Sequence, residues 1–137
     1  MKKFLTSTLL TTSCLFTAHS HADIETVCQQ PKSEKVSTAW SGHYYLQGVM
    51  EVGSELLLKP DGTFKWYLAV GALDQYAEGK WWKNESCIGL KAVPEYKASL
   101  EIFPIQLKIQ DKVLKAVWSG GHEQGAYIRA EPHSDAE

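Results

Sequence analysis

Residues 55–70 read ELLLKPDGTFKWYLAV, and this stretch decides the fold. Leu56 and Leu58 lie two residues apart, and every second residue from Phe64 to Val70 is apolar, which is the period of a β-strand. Between the two runs, residues 59–62 combine a proline that presets one backbone angle with a glycine that accepts a positive φ. The stretch therefore predicts a β-hairpin.

Alternation of the same kind recurs along most of the chain, without a clear amphipathic helix. The other runs lie at residues 42–47, 77–81, 87–91, 99–103, 105–110, 113–118 and 125–130. A meander of sequential hairpins leaves two unpaired edges, and closing the sheet removes both. We therefore expect an all-β protein, an antiparallel up-and-down meander forming an eight-stranded barrel, with a two-sheet β-sandwich as the alternative.

The two ends of the chain differ in composition from the region of alternation. Lys2 and Lys3 precede a charge-free stretch that ends in Ser-His-Ala at residues 20–22, the pattern of a cleaved signal peptide. The expected division is a signal peptide at 1–22, a polar arm at 23–39, a barrel domain at 40–131 and a polar tail at 132–137. The protein is thus expected in the bacterial periplasm or outside the cell, and no segment is long and apolar enough to span a membrane.

Cys28 and Cys87 are the two cysteines that follow the expected cleavage site. In an oxidising compartment, two such cysteines pair more often than they stay free, so a disulfide bond is expected. Without Lys2 and Lys3, twelve basic residues stand against sixteen acidic ones, a net charge of −4 with no basic run. Nucleic acid and anionic membrane surfaces are therefore not expected partners.

Several motifs resemble those of known proteins. Residues 42–46 (GHYYL), 48–56 (GVMEVGSEL), 61–64 (DGTF) and 71–81 (GALDQYAEGKW) resemble a group of small exported proteobacterial proteins. The Gly-x-Tyr-Tyr at 42–45 also resembles the Gly-x-Trp-Tyr at the start of the first lipocalin strand, and Asp-Gly-Thr-Phe with a later Gly-x-Trp is similar to the hairpins of lipocalin-like barrels. The resemblance implies a lipocalin-like barrel. It implies no ligand or catalytic residue, because Tyr44 replaces the tryptophan and other lipocalin motifs have no counterpart.

Polar residues crowd residues 51–78 and 119–124. In an up-and-down barrel, odd-numbered strands finish at one end, so the loops after strands one, three and seven should share a rim. We expect a binding site at this rim, above an apolar throat. The candidate ligand-binding residues are Glu51, Glu55, Asp74, Gln75, Tyr76, His122 and Glu123.

Catalysis has less support in the sequence. Convergence of Glu51, Glu55 and Asp74 would allow them to share a proton or hold a cation, which keeps a carboxylate-dependent hydrolase open. The sequence has no nucleophile elbow, no phosphate-binding loop and too few closely spaced ligands for a metal. These features favour a protein that is not an enzyme and uses neither a metal nor a cofactor.

Aromatic residues are the remaining functional signal. Tyr67 and Trp82 alternate with Trp66 and Trp81, so we expect them on the outer face. Exposed aromatics beside polar groups favour recognition of a partner. The prediction is an exported, non-enzymatic binding protein that uses its polar rim or an aromatic face to bind a small molecule or a periplasmic protein. The alternative is an interaction or inhibitor protein that neutralises a cell-wall enzyme or toxin.

Overall fold

A computed structural model describes residues 27–33 and 36–131. The expected signal peptide and the polar tail at 132–137 lie outside the described residues. A 3₁₀ turn (Thr38–Trp40) precedes the first strand, and a one-turn helix, α1 (Pro94–Lys97), follows the fifth. The strands are β1 (Gly42–Gln47), β2 (Val52–Leu58), β3 (Thr63–Val70), β4 (Leu73–Asn84), β5 (Cys87–Ala92), β6 (Pro104–Gln110), β7 (Val113–Trp118) and β8 (Glu123–Arg129).

Each strand pairs antiparallel with the next one, and β8 pairs with β1, so the sheet closes into an eight-stranded barrel. This confirms the predicted fold and excludes the β-sandwich. The hairpin at residues 55–70 has the expected turn, in which Gly62 adopts a φ of 84°. The Asp61 carboxylate accepts hydrogen bonds from the backbone N–H and the hydroxyl of Thr63, which lowers the pKa of Asp61.

Alternate side chains point inward and fill the barrel. The largest of the fully buried ones are Trp66, Tyr44, Tyr127, Phe64 and Leu56. Phe103 packs edge-to-face on Trp66 at a centroid distance of 5.1 Å. Because bulky side chains occupy the barrel axis, the surfaces open to a partner are the two ends and the outer face.

A short chain of hydrogen bonds crosses this apolar interior. The Trp66 Nε1–H donates to the Tyr127 hydroxyl at 2.9 Å, and the Ser54 hydroxyl donates to the Tyr67 carbonyl at 2.6 Å. Since the hydrogen of Ser54 is thus used, the Tyr127 hydroxyl donates to Ser54 Oγ at 2.7 Å. Burial raises the pKa of Tyr127 to about 12. Each polar group in the chain is therefore satisfied in its neutral form.

The arm before β1 is fastened to the outer face of the barrel. The predicted disulfide between Cys28 and Cys87 is present. The Cys28 N–H donates to Gln106 Oε1 at 3.0 Å, and Trp82 Nε1–H donates to the Cys28 carbonyl at 3.1 Å. Trp82 thus lies on the outer face as its position in β4 requires, but the arm partly covers it. Its outward position is as predicted, and Tyr67 is the more exposed of the two outward aromatic residues.

The barrel closes where β1 meets β8. Tyr44 and Arg129 are register partners, and the Arg129 guanidinium lies 5.4 Å from the centroid of the Tyr44 ring. Arg129 also donates to the Tyr44 hydroxyl at 2.8 Å and to the Ala39 carbonyl at 2.7 Å. The Tyr44 hydroxyl in turn donates to the Trp40 carbonyl at 2.8 Å. The seam is therefore tied to the 3₁₀ turn that precedes β1.

Two local predictions are wrong. Residues 99–103 do not form a strand; residues 93–103, called the strap below, connect β5 to β6 through α1 and an irregular segment. The run predicted at 77–81 begins too late, because β4 already begins at Leu73. The second error has a physical cause, the side chain of Gln75. It points inward and bonds to the strap, so a polar residue occupies a core position and interrupts the apolar alternation of β4.

Candidate binding surfaces

The loops after β1, β3 and β7 lie at one end of the barrel together with the strap, as the strand order requires. Asp74 and His122 therefore lie near the same end. Their neighbours do not join them in one polar cluster, because β-strand alternation sends adjacent side chains to opposite faces. The predicted rim site separates into a mouth, an outer face and a set of structural contacts.

Three of the predicted site residues are not part of the lining of the mouth cavity that is described below. The Gln75 side chain is buried, and its Oε1 accepts from the N–H groups of Glu101 and Ile102 while its Nε2 donates to the Ile102 carbonyl. Gln75 therefore holds the strap in place. Glu123 begins β8 and forms an ion pair with Lys108 at 3.2 Å. Glu51 occupies the β1–β2 turn, exposed and with a φ of 60°.

The carboxylates proposed for a hydrolase are distributed among separate partners. Glu55 Oε2 lies 3.0 Å from His43 Nε2, and Asp74 Oδ1 accepts a hydrogen bond from the Tyr67 hydroxyl at 3.0 Å. Within residues 27–33 and 36–131, no group of three or more His, Cys, Asp or Glu side chains is placed to hold a metal ion. The arrangement thus provides neither a shared-proton pair nor a cation site built on Glu51, Glu55 and Asp74.

The mouth of the barrel contains a small cavity beneath the strap. Its volume is about 190 Å³, and its apolar lining comes from Val49, Val52, Leu68, Val70, Ile102 and Trp118. His122, Gln124, Glu101 and Ser119 complete the lining. An apolar throat beneath polar groups therefore exists at the predicted end. Pockets for drug-sized ligands usually measure roughly 300–1,000 Å³, so this cavity suits only a compact group.

The outer face carries a row of tyrosines that crosses four strands. In the sheet register, Tyr45 lies opposite Glu55, Glu55 opposite Tyr67, and Tyr67 opposite Tyr76. The ring of Tyr76 meets the ring of Tyr96 from α1 edge-to-face at 5.5 Å. We call these five residues the tyrosine face. Tyr45, Tyr67 and Tyr76 are 41%, 42% and 40% exposed, far more than aromatic residues that fill a core.

Carboxylates orient the hydroxyl groups of this face. The Tyr67 hydroxyl donates to Asp74, and the Tyr76 hydroxyl donates to Glu78 Oε1. The bond to Glu78 is the main reason why the pKa of Tyr76 rises to about 12, and the same bond lowers the pKa of Glu78. The bond to Asp74 raises the pKa of Tyr67. Both phenols are thus held neutral, with their hydroxyl groups directed at acids.

The tyrosine face and its border are acidic. Three carboxylates, those of Glu55, Asp74 and Glu78, stand against two lysines: the Lys65 Nζ lies 3.5 Å from Glu78 Oε1, and the charge of Lys59 also acts on Glu78. These five residues carry a net charge of −1. Alternation predicted that Tyr67 points outward, but it did not predict which residues lie beside Tyr67 on the outer face. Tyr45 and Tyr96 were missed, because finding them requires the strand register and the position of α1 rather than the sequence pattern.

Two further findings bear on identity. In the described part of the chain, none of the helices is long and apolar enough to cross a membrane. Closed β-barrels carry out many different functions, so the fold alone does not assign a function to this protein. In comparisons with known proteins, no family model, no curated protein and no solved structure matches this chain.

Proposed function

We propose that this protein is an exported, non-enzymatic binding protein and that the tyrosine face is its recognition surface. One observation carries the proposal: Tyr45, Tyr67 and Tyr76 stay about two-fifths exposed in one register row, although the barrel interior is filled. Tyrosine is among the residues that contribute most to binding energy, since its large ring is ordered at low entropic cost. A protein or a smaller molecule is a possible partner on such a face.

The mouth cavity supports a second candidate function, capture of a small apolar group. Its apolar walls and the edge formed by His122 and Gln124 favour this reading. Its volume of about 190 Å³ is too small for a drug-sized ligand, so the cavity would hold only a small group of a larger partner. A carboxylate-dependent hydrolase has the weakest support, because Glu55 and Asp74 bond to different neighbours.

The test compares variants of the exported protein isolated from its own bacterium. Native mass spectrometry and chemical cross-linking would identify what copurifies with the unmodified chain. The double variant Tyr67→Ala, Tyr76→Ala should lose that partner, whereas Met50→Ala should keep it, because Met50 is 89% exposed and lies in the β1–β2 turn. Circular dichroism would establish that each variant is folded.

The same experiment separates the two candidates. Val70→Phe would fill the mouth cavity without touching the tyrosine face. Loss of the partner in this variant, with retention in the double tyrosine variant, would contradict the proposal and favour the mouth. Retention of the partner at full occupancy by folded Tyr67→Ala, Tyr76→Ala protein would likewise reject the tyrosine face.

A further inference from the structure

We infer that the tyrosine face binds a cationic segment of a protein, one that presents lysine or arginine side chains. This inference rests on the proposed function and adds the chemistry of the partner. Two features of the face carry it: an excess of carboxylates, and aromatic rings placed beside those carboxylates. Each is set by the strand register rather than by flexible loops.

The position of Glu55 provides the first step. Glu55 lies directly between Tyr45 and Tyr67 in the row, since it is the register partner of both. Side chains in such cross-strand pairs have Cβ atoms only about 5 Å apart. A cation that bonds to the Glu55 carboxylate is therefore within reach of both rings, the arrangement that favours cation–π attraction.

The hydrogen bonds already made on the face provide the second step. A carboxylate has roughly four lone-pair sites. The Oε2 of Glu55 lies against His43 Nε2, and the Oδ1 of Asp74 accepts a hydrogen bond from the Tyr67 hydroxyl. Acceptor capacity thus remains on both acids, which suits the several N–H donors of an ammonium or guanidinium group.

The same bonds remove two of the hydrogen-bond donors that a sugar partner would use. Stacking of a sugar on tyrosine needs donors and acceptors that can match its hydroxyl groups. Here the hydroxyl hydrogens of Tyr67 and Tyr76 are already given to Asp74 and Glu78. A cation does not need those hydrogens, because it uses the ring faces and the carboxylate oxygens. The net charge of the face, like that of the whole chain, also favours a basic partner.

The size of the face sets the length of the segment. The row crosses from β1 to β4, three strand spacings or about 14 Å. About four residues of an extended chain cover this distance. Blocked hexa-arginine is therefore a suitable probe, with hexa-citrulline as its uncharged analogue and chitohexaose as the sugar alternative. Binding would be followed by calorimetry and by NMR shifts of the exported, disulfide-bonded protein.

We expect hexa-arginine to bind saturably and to shift resonances of Tyr45, Tyr67 and Tyr76, while hexa-citrulline does not. Glu55→Gln and Asp74→Asn should each weaken binding about fivefold. Asp111→Asn is the matched control, because it removes the same charge from the turn between β6 and β7 at the other end of the barrel. Tyr67→Phe should bind better than Tyr67→Ala, since it keeps the ring.

Three outcomes would overturn the inference. Failure of hexa-arginine to bind would do so directly. Equal losses in Asp111→Asn and Asp74→Asn would mean that only net charge matters. Shifts of the tyrosine face by chitohexaose in place of hexa-arginine would assign the face to a sugar, in which case the proposed function stands and the cationic partner is wrong. The proposed function itself fails only if the folded Tyr67→Ala, Tyr76→Ala protein retains its native partner.

Discussion

Trp82 lies directly over Gly89, its register partner on β5, and a Cβ atom at position 89 would sit 2.2 Å from Trp82 Cε2. Gly89→Ala must therefore displace the indole ring and break its hydrogen bond to the Cys28 carbonyl. Overpacking of this kind costs about 1–3 kcal/mol of unfolding free energy. Urea denaturation would measure the loss. Gly53→Ala is the control, because a Cβ there meets nothing within 4 Å; an equal loss in both variants would contradict the role of Trp82.

The disulfide should contribute substantially to stability. Replacing Cys28 and Cys87 together with serine removes a cross-link between residues 59 positions apart. In the chain-entropy account, a loop of that length corresponds to about 4 kcal/mol. We also expect a change in tryptophan fluorescence, since Trp82 loses its cover when the arm detaches. A denaturation midpoint that does not move would show that the arm is held by its hydrogen bonds alone.

Gln75 should act in folding rather than in binding. Gln75→Leu keeps the size of the side chain but leaves the N–H groups of Glu101 and Ile102 without their acceptor. A loss of about 1–3 kcal/mol is expected, with faster hydrogen exchange at these two amides. Gln110→Leu serves as the control on an exposed site. Unchanged exchange at both amides would mean that the strap is fixed by other contacts.

Tyr127 should make the fold sensitive to alkaline pH. Its pKa is raised from about 10 to about 12, so the stabilisation of the neutral phenol is complete below pH 10 and is lost as the pH rises to about 12. The loss is on the order of 3 kcal/mol. Tyr127→Phe lacks this titration, although it costs about 1–3 kcal/mol at neutral pH by leaving the Trp66 N–H unpaired. The stability difference between the two proteins should therefore shrink from pH 10 to pH 12, and a constant difference would refute the argument.

The sequence was sufficient where one pattern determined one structure. Alternation gave the bounds of β3 and β7 as observed, and the Pro-Asp-Gly turn between β2 and β3 was correct. The disulfide followed from a count of two cysteines, and barrel closure followed from the need to pair the sheet edges. Each of these conclusions depends either on residues close together in sequence or on the general rule that the edge strands of a sheet need hydrogen-bond partners.

The candidate site needed information that a single sequence does not contain. Asp74 and Tyr76 are close in sequence to a rim, but whether they point inward or outward depends on which residues of β4 face the core. Because the buried residue between them, Gln75, is polar, the sequence pattern did not show which residues these are. The row from Tyr45 to Tyr76 depends on three successive strand registers, and a shift of one residue in any of them would disperse it. The positions of most strands and turns along the chain were therefore predictable, whereas the side chains that come together on the outer face were not.

The seam between β1 and β8 has a consequence for the order of folding. In the part of the chain that is described, seven of the eight strand pairings join neighbours in sequence, and the eighth joins Tyr44 to Arg129 across 85 residues. Hairpins form quickly, whereas a pairing this distant must overcome the entropy of a long loop. Closure is thus expected after the rate-limiting barrier. In stopped-flow experiments Arg129→Leu should accelerate unfolding and leave the refolding rate nearly unchanged, and a slower refolding rate would place the seam in the folding nucleus.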